Sequence, residues 1–289
     1  MVRPTELRFE TSGLEYAAIS WGEVRQPVVL ALHGWLDNAL SFARLGPALT
    51  GYRVVAVDLS GHGFSSHRSL DSNYHIWNDV PQLVDIVDEL TDQEIIVIGH
   101  SRGASVATLL AAALGERCSN LVLIDGLLPA YGDDRNGAHQ LARYVRERRK
   151  YLARKDRFFA SVEEFAQRRA QYGFSIDSAQ QLAPRALEAV GGRWRLLSDP
   201  RLFGSSAVYL NEQQRHQIYK ELTVPVLSIF GERGFFTRDG VAQKMLEDAG
   251  ACIPNFTSTI IDGSHHLHME EEVVGHVAQR IKQFLSTGQ

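Results

Sequence analysis

Cysteine is scarce in this sequence, with only Cys118 and Cys252 in a chain of 289 residues. The two lie far apart and form neither a C-x-x-C pair nor the Cys/His spacing that is typical of zinc ligands. This scarcity argues against a disulfide-stapled fold and against a structural zinc site. We expect two thiols without a special role.

An excess of positive charge is also missing, because the formal net charge is -4 at pH 7. This balance argues against a protein that binds nucleic acid through its overall charge. No stretch approaches the roughly eighteen consecutive apolar residues that a membrane span needs. Residues 1–13 lack the apolar segment of a signal peptide. We therefore expect a cytoplasmic protein with no membrane span and no nucleic-acid partner.

Apolar residues make up 44% of the chain and are arranged in short runs that suggest strands alternating with helices. The runs that predict strands lie at residues 7–9, 14–20, 28–32, 53–58, 95–98, 121–125, 226–231 and 259–262. Helical periodicity is found at residues 41–49, 74–90 and 271–285. Such alternation predicts a mostly parallel sheet that is covered by helices on both faces.

One interval interrupts this alternation. About a hundred residues between Asp125 and Val226 contain no convincing buried strand, far more than a connection in such a fold needs. We predict a helical cap at 130–222, inserted between core segments 1–129 and 223–289. Residues 141–170 hold ten Lys/Arg against four Asp/Glu. We interpret this excess as a solvated helix face; the alternative is a lid that attracts anionic substrates or docks on the acidic core.

The sequence GHSRG at residues 99–103 follows an apolar strand and precedes a helix of small residues. In that context a G-x-S-x-G pattern predicts a nucleophile elbow, a sharp turn that exposes Ser101. Glycines at 99 and 103 would let the strand and the helix approach closely. The alternative interpretation is a plain glycine-rich turn.

An elbow serine needs a base, and the histidine cluster at residues 263–268, GSHHLH, follows the last predicted strand. We predict that His265 is the base, with His266 and His268 as alternates. Clustered histidines can also bind a metal, but no carboxylate or cysteine stands at a recognisable ligand spacing. We therefore predict neither a metal nor a cofactor.

Acyl transfer also needs donors for a developing oxyanion. The backbone N–H of Arg102, at the start of the elbow helix, is one candidate. The N–H of Trp35 is the second, because His33 and Gly34 would turn the chain towards Ser101 after the strand at 28–32. Alternatively, this segment is only a tight exit from its strand.

Together these segments resemble the α/β-hydrolase superfamily, in the chain order HG (33–34), DLSGHGFSS (58–66), GHSRG (99–103) and GSHHLHME (263–270). Within it, the segments HGWLDNALSF, DPRL (199–202) and GSHHLHM are similar to the serine hydrolase-like proteins. The resemblance implies the α/β-hydrolase fold, with a mostly parallel eight-stranded sheet and a helical lid inserted after the sixth strand. It also implies that the first histidine of the H-x-x-H-x-E pattern, His265, is catalytic.

In one position the chain departs from the pattern, because Gly234 stands where most members carry the triad aspartate. Some branches, the haloalkane dehalogenases among them, place the acid at the end of the strand after the elbow helix. The resemblance therefore implies Asp125 as the acid. Glu232 is the alternative acid, and Asp239, Asp262 or no acid at all are further alternatives.

Serine at the elbow disfavours dehalogenase and epoxide-hydrolase chemistry, which needs a carboxylate nucleophile. The resemblance implies a serine hydrolase that forms an acyl-serine, a carboxylesterase on small to medium acyl esters. Lactone, thioester, amide or C–C bond hydrolysis are alternatives in the same fold, and a non-catalytic binding protein is an alternative of another class.

We expect a small ester-type substrate and a monomer or homodimer. An apolar acyl site would be formed by aromatic side chains of Trp194, Phe203, Phe235 and Phe236. Alternatively, the Arg102 side chain would favour a carboxylate-bearing substrate.

Overall fold

The apolar runs of the sequence form one central sheet in the computed structural model, which describes residues 4–129, 137–237 and 240–286. The strands within these residues are β1 (Thr5–Thr11), β2 (Leu14–Trp21), β3 (Val28–Leu32), β4 (Arg53–Val57), β5 (Ile95–His100), β6 (Cys118–Ile124), β7 (Phe158–Phe159), β8 (Leu187–Val190), β9 (Arg193–Leu196), β10 (Val226–Arg233) and β11 (Phe256–Ser264). Eight of them form the central sheet, in the order β1-β2-β4-β3-β5-β6-β10-β11. Only the β1–β2 and β2–β4 pairs of this sheet are antiparallel, so the predicted mostly parallel, eight-stranded sheet is confirmed.

Helices flank this sheet and also form most of the insertion. Within the described residues they are α1 (Leu45–Ala48), α2 (Val80–Leu90), α3 (Arg102–Leu114), α4 (Gly137–Leu152), α5 (Val162–Ala170), α6 (Ile176–Ala186), α7 (Glu212–Lys220), α8 (Val241–Cys252) and α9 (Val274–Ser286). Neighbouring residues of β3 belong to different apolar clusters: Leu30 packs in one, and Val29 and Ala31 pack in the other. Because successive side chains of a strand point to opposite faces, both faces of the sheet are buried.

Two helices differ from the sequence expectation. The helix predicted over residues 74–90 begins only at Val80, because Asp79 and Pro81 mark its first turn and residues 74–79 form a loop. The helix predicted over residues 41–49 is divided into a 3-10 turn at Ala39–Phe42 and the short α1. Pro47 explains this division, since it has no N–H to donate to a preceding turn.

Between β6 and β10 the chain forms α4 to α7 and a second sheet that the sequence analysis did not predict. In that sheet β7, β9 and β8 lie side by side and pair antiparallel. Its strands contain only two to four residues. Such short segments carry no readable periodicity, so the missed sheet follows from the length of its strands.

Buried ion pairs connect the insertion to the core. Arg169 of α5 lies 2.5 Å from Asp37, which follows β3. Arg185 of α6 donates to Asp58, which follows β4, at 2.7 and 3.0 Å. In contrast, no residue of α4 is buried. The basic segment therefore combines both interpretations, with a solvated helix at its start and an arginine docked on a core carboxylate at its end.

No helix within the described residues has the length and apolar character needed to cross a membrane.

Candidate active site

Ser101 lies at a tight turn between β5 and α3. Its backbone has a φ of +51° and a ψ of -117°, a conformation that costs free energy and is found at functional sites. A Cβ atom on Gly99 would lie 2.3 Å from the Gly103 carbonyl oxygen, and one on Gly103 would lie 2.2 Å from the Leu32 carbonyl oxygen. Only glycine at these two positions permits the strand and the helix to pack this closely.

Three side chains form a continuous hydrogen-bonded chain at the carboxyl edge of the sheet. His265, in the turn after β11, has its Nε2 3.0 Å from the Ser101 Oγ. Its Nδ1 lies 2.5 Å from Oδ2 of Asp125, the residue directly after β6. The other carboxylate oxygen of Asp125 accepts from the Gly231 N–H at 2.8 Å. This geometry can transfer a proton from the serine to the imidazole while the carboxylate fixes the ring.

Of the alternative acids, the structure describes Glu232 and Asp262, and neither contacts His265. Glu232 is exposed on β10, and Asp262 is an exposed residue of β11 paired with Arg233. Asp239 lies outside the described residues. At Gly234, a Cβ atom would lie 2.5 Å from the Asp125 Oδ1. Position 234, where most members of the superfamily carry the triad aspartate, is thus immediately beside the carboxylate of Asp125.

Neither alternate histidine hydrogen-bonds to Ser101, whose Oγ instead lies beside the His265 Nε2. His266 stacks on Phe174 with ring centroids 3.5 Å apart, and His268 is fully buried near Phe42 and His100. Burial lowers the pKa of both side chains well below 6.5. They therefore remain neutral near pH 7 and contribute packing to the floor of the site.

Asp37 and His100 form a buried pair that the sequence analysis did not single out. The Asp37 Oδ2 lies 3.6 Å from the His100 Nδ1, and the His100 Nε2 lies 2.9 Å from the carbonyl oxygen of His265. Burial acts to raise the pKa of Asp37, but His100 and Arg169 outweigh it and hold that pKa below its usual range. This pair therefore supports the backbone of His265, and its sequence signal was the aspartate of HGWLDN.

A metal could use ring nitrogens of His100, His265 and His266, which lie within 4.8 Å of one another. However, both ring nitrogens of His265 already have partners in Asp125 and Ser101. Since a metal ligand needs a free nitrogen lone pair, binding would break the chain that connects these three side chains.

The two expected oxyanion donors border the serine. Arg102 is the first residue of α3, where an N–H has no intrahelical acceptor. Trp35 lies in a turn closed by a hydrogen bond from the Asp37 N–H to the Gly34 carbonyl, and its indole N–H donates to the Leu202 carbonyl at 2.7 Å.

The Arg102 side chain lies in the wall of the site. Its guanidinium donates to the Tyr74 carbonyl at 3.1 Å and lies 4.0 Å from the Asp79 carboxylate. Both contacts are made by Nη2, so this nitrogen is directed at the protein rather than at a carboxylate-bearing substrate.

Ser101 opens into a cavity of about 320 Å³ with largely aromatic walls. Phe203, Phe235 and Phe236 line it as expected, whereas Trp194 packs inside the insertion. Further lining residues come from the insertion, including Phe159, Phe165 and Arg157. A second cavity of about 380 Å³ also borders Ser101 and includes Arg102 and Leu127. Both cavities are therefore open to a substrate that is bound at Ser101.

A family profile and individual relatives both assign this chain to one family of proteins. The profile of the alpha/beta hydrolase fold family matches residues 27–272. A serine hydrolase-like protein of Dictyostelium discoideum is 31% identical over 275 residues, which cover 90% of this chain and 76% of the relative. The predicted resemblance to the serine hydrolase-like group is therefore confirmed.

Two solved structures extend the similarity to nearly the whole chain. A hypothetical protein from Pseudomonas aeruginosa PAO1 superimposes with a TM-score of 0.90 and 31% identity, covering 98% of this chain and 99% of the other. A thioesterase domain from the curacin biosynthetic pathway gives a TM-score of 0.84 and 26% identity, covering 97% and 99%.

Proposed function

This chain belongs to the α/β-hydrolase family, and from that membership we propose that it is a serine hydrolase acting through an acyl-serine intermediate. The observation that carries the proposal is the hydrogen-bonded chain from Ser101 through His265 to Asp125. We propose a carboxylesterase on small to medium acyl esters, because the cavity at Ser101 is largely aromatic.

In the proposed mechanism, Ser101 attacks the carbonyl carbon while His265 Nε2 accepts the hydroxyl proton. The N–H groups of Trp35 and Arg102 bind the oxyanion, and Asp125 stabilises the imidazolium. His265 then protonates the leaving group. Water attacks the acyl-serine by the same steps, His265 again acting first as base and then as acid, and releases the carboxylic acid.

Thioester hydrolysis is a second candidate within the same mechanism. It is favoured by the similarity to the thioesterase domain of the curacin pathway, which extends over 97% of this chain. A thiolate is a better leaving group than an alkoxide, so a site that forms an acyl-serine from an ester needs no additional residue to cleave a thioester.

The proposal also includes the organisation of the chain and its location. We propose a core of residues 1–129 and 223–289 with a cap at 130–222 that encloses the substrate. Residues of the insertion that line the cavity support this division, although its first boundary falls on residues 130–136, which the structure does not describe. We further propose a cytoplasmic location, as expected from the sequence.

Labelling by a fluorophosphonate probe tests the nucleophile. We expect the wild type to be labelled and Ser101→Ala to remain unlabelled, since the probe reacts only with an activated serine. Ser69→Ala, which changes an exposed loop serine, is the matched control and should label like the wild type. An unlabelled wild type, or equal labelling of Ser101→Ala, would favour a non-catalytic binding protein.

The pH dependence of aryl-ester turnover tests the base. Burial lowers the pKa of His265 below 6.5, although the hydrogen bond to Asp125 acts in the opposite direction. Because a general base must be neutral, a lowered pKa keeps it active at lower pH. We expect kcat/KM to rise with pH through a midpoint below 6.5 and to be level above it. A midpoint above 6.5 in a profile from pH 4.5 to 8.5 would contradict this expectation.

A further inference from the structure

A third and larger cavity lies beside the cavity of about 320 Å³ that Ser101 opens into. It has a volume of about 590 Å³, and we call it the basic cavity because five arginine or lysine side chains line it, namely Arg8, Arg154, Lys155, Arg157 and Arg195. The two cavities share wall residues, among them Arg157, Ser198 and Phe203. A molecule that occupies the basic cavity is therefore adjacent to one that occupies the cavity of the nucleophile.

Only part of this positive charge is neutralised by the protein. Arg8 pairs with Glu15, and Arg195 pairs with Glu188 and with Asp156, a carboxylate in the cavity wall. In the parts of the chain that the structure describes, Arg154, Lys155 and Arg157 form no ion pair at contact distance, although Glu164 acts on Arg157 from farther away. Arg168, in the wall of the Ser101 cavity, likewise has none there.

Aromatic rings hold two of these cations at the wall. The Arg157 guanidinium lies 4.9 Å from the ring centre of Phe159, and that of Arg154 lies 5.1 Å from Phe203. Burial and the neighbouring Arg168 and Arg154 lower the pKa of Arg157, so the protein itself disfavours this accumulation of charge. A chain with a net charge of -4 thus concentrates cations in a cavity that adjoins the cavity of its nucleophile. An anionic ligand would relieve their repulsion.

We propose that the basic cavity binds a phosphate-bearing leaving group of nucleotide size, so that the preferred substrate is an acyl thioester of a nucleotide-bearing thiol. Phosphate groups suit the site because arginine donates two parallel hydrogen bonds to them and lysine adds a point charge. A cavity of about 590 Å³ lies within the range that encloses small ligands. The inference rests on the proposed function.

The reaction is the acyl transfer described above. The bond between the carbonyl carbon and sulfur breaks, and the thiolate takes the proton that His265 accepted from Ser101. Water then supplies the hydroxyl group of the carboxylic acid and returns a proton to Ser101. The cavity of about 320 Å³ with aromatic walls would hold the acyl chain. The anionic portion of the thiol would occupy the basic cavity.

Two substrates with one acyl group isolate the role of the phosphates. Hexanoyl coenzyme A carries them, whereas hexanoyl-N-acetylcysteamine has the same thioester and lacks the nucleotide. We expect wild-type kcat/KM to be at least roughly tenfold higher for the coenzyme A thioester, because charge-assisted hydrogen bonds to phosphate add affinity. This ratio should fall as NaCl is raised from 50 to 500 mM, since salt screens exposed charges.

Two double variants that remove the same amount of charge test whether Arg154 and Lys155 bind the phosphate groups. Arg154→Ala/Lys155→Ala should reduce the ratio of the two kcat/KM values to within about threefold of one. Arg146→Ala/Arg149→Ala removes the same charge from exposed positions of α4 that line neither cavity, and it should keep the wild-type ratio. Circular dichroism and melting temperature check the fold of both variants.

Three results would overturn the inference: a wild-type ratio near one, a ratio indifferent to salt, or a ratio that survives in Arg154→Ala/Lys155→Ala. If that variant fails to fold, the salt dependence of the wild type decides. Fluorophosphonate labelling of Ser101 is measured on the same preparations. Retained labelling with a ratio near one rejects only the phosphate subsite, whereas absent labelling rejects the proposed function.

Discussion

Replacing Asp125 with asparagine should lower kcat for an aryl ester by about 10⁴-fold, while the protein remains folded. The Gly231 N–H donates to Oδ1 of Asp125 and would keep the asparagine oxygen on that side. The new NH2 group would then face Nδ1 of His265 and donate to it. The imidazole would carry its proton on Nε2, where it cannot accept the proton of Ser101.

Glu232→Gln is the matched control, since it makes the same change from acid to amide on an exposed side chain of β10. We expect its kcat to stay within about twofold of the wild type, as is usual for a surface position. Initial rates at saturating substrate compare the two variants. If Asp125→Asn turned over normally and Glu232→Gln lost several orders of magnitude, the acid would be Glu232.

Local sequence patterns predicted the parts of the fold that depend on local chemistry. The strands β3, β4 and β5 each contain a continuous run of at least four apolar residues, and their burial on both faces follows from these runs. Likewise, the G-x-S-x-G pattern between an apolar run and a run of small residues predicts the turn at Ser101 from adjacent residues alone. Segments whose conformation is set by a few neighbouring residues can therefore be predicted from the sequence.

The remaining features depend on contacts between residues distant in the chain. Arg169 lies 132 positions from Asp37, and no local pattern indicates that they pair. The positions of Trp35 and Arg102 directly after a strand and at the start of a helix predict them as oxyanion donors, but the hydrogen bond from the Trp35 indole to Leu202 depends on how the insertion packs. Side chains of the insertion also determine the cavity walls, so Trp194 was misplaced for the same reason.

Replacing Gly234 with alanine should lower kcat by roughly two to three orders of magnitude, because misplacing a catalytic group by about 1 Å can cost about 10²-fold. The new Cβ atom would lie 2.5 Å from Oδ1 and 2.9 Å from Oδ2 of Asp125, closer than atoms can pack. Backbone atoms hold this loop, since the Gly234 N–H donates to the Gly231 carbonyl at 2.9 Å. The carboxylate would have to move, and it would leave Nδ1 of His265.

Gly275→Ala is the matched control, because a Cβ atom at this position in α9 meets no atom within 4 Å. It should retain wild-type kcat and be at least as stable, since alanine favours a helix over glycine. Kinetics and melting temperature are measured on both variants. A Gly234→Ala variant with wild-type kcat would show that the carboxylate of Asp125 is not needed in its present place. If only Gly234→Ala lost kcat, the acid at Asp125 would require glycine at position 234. The reason is that a side chain at position 234 and the carboxylate of Asp125 cannot occupy the same space.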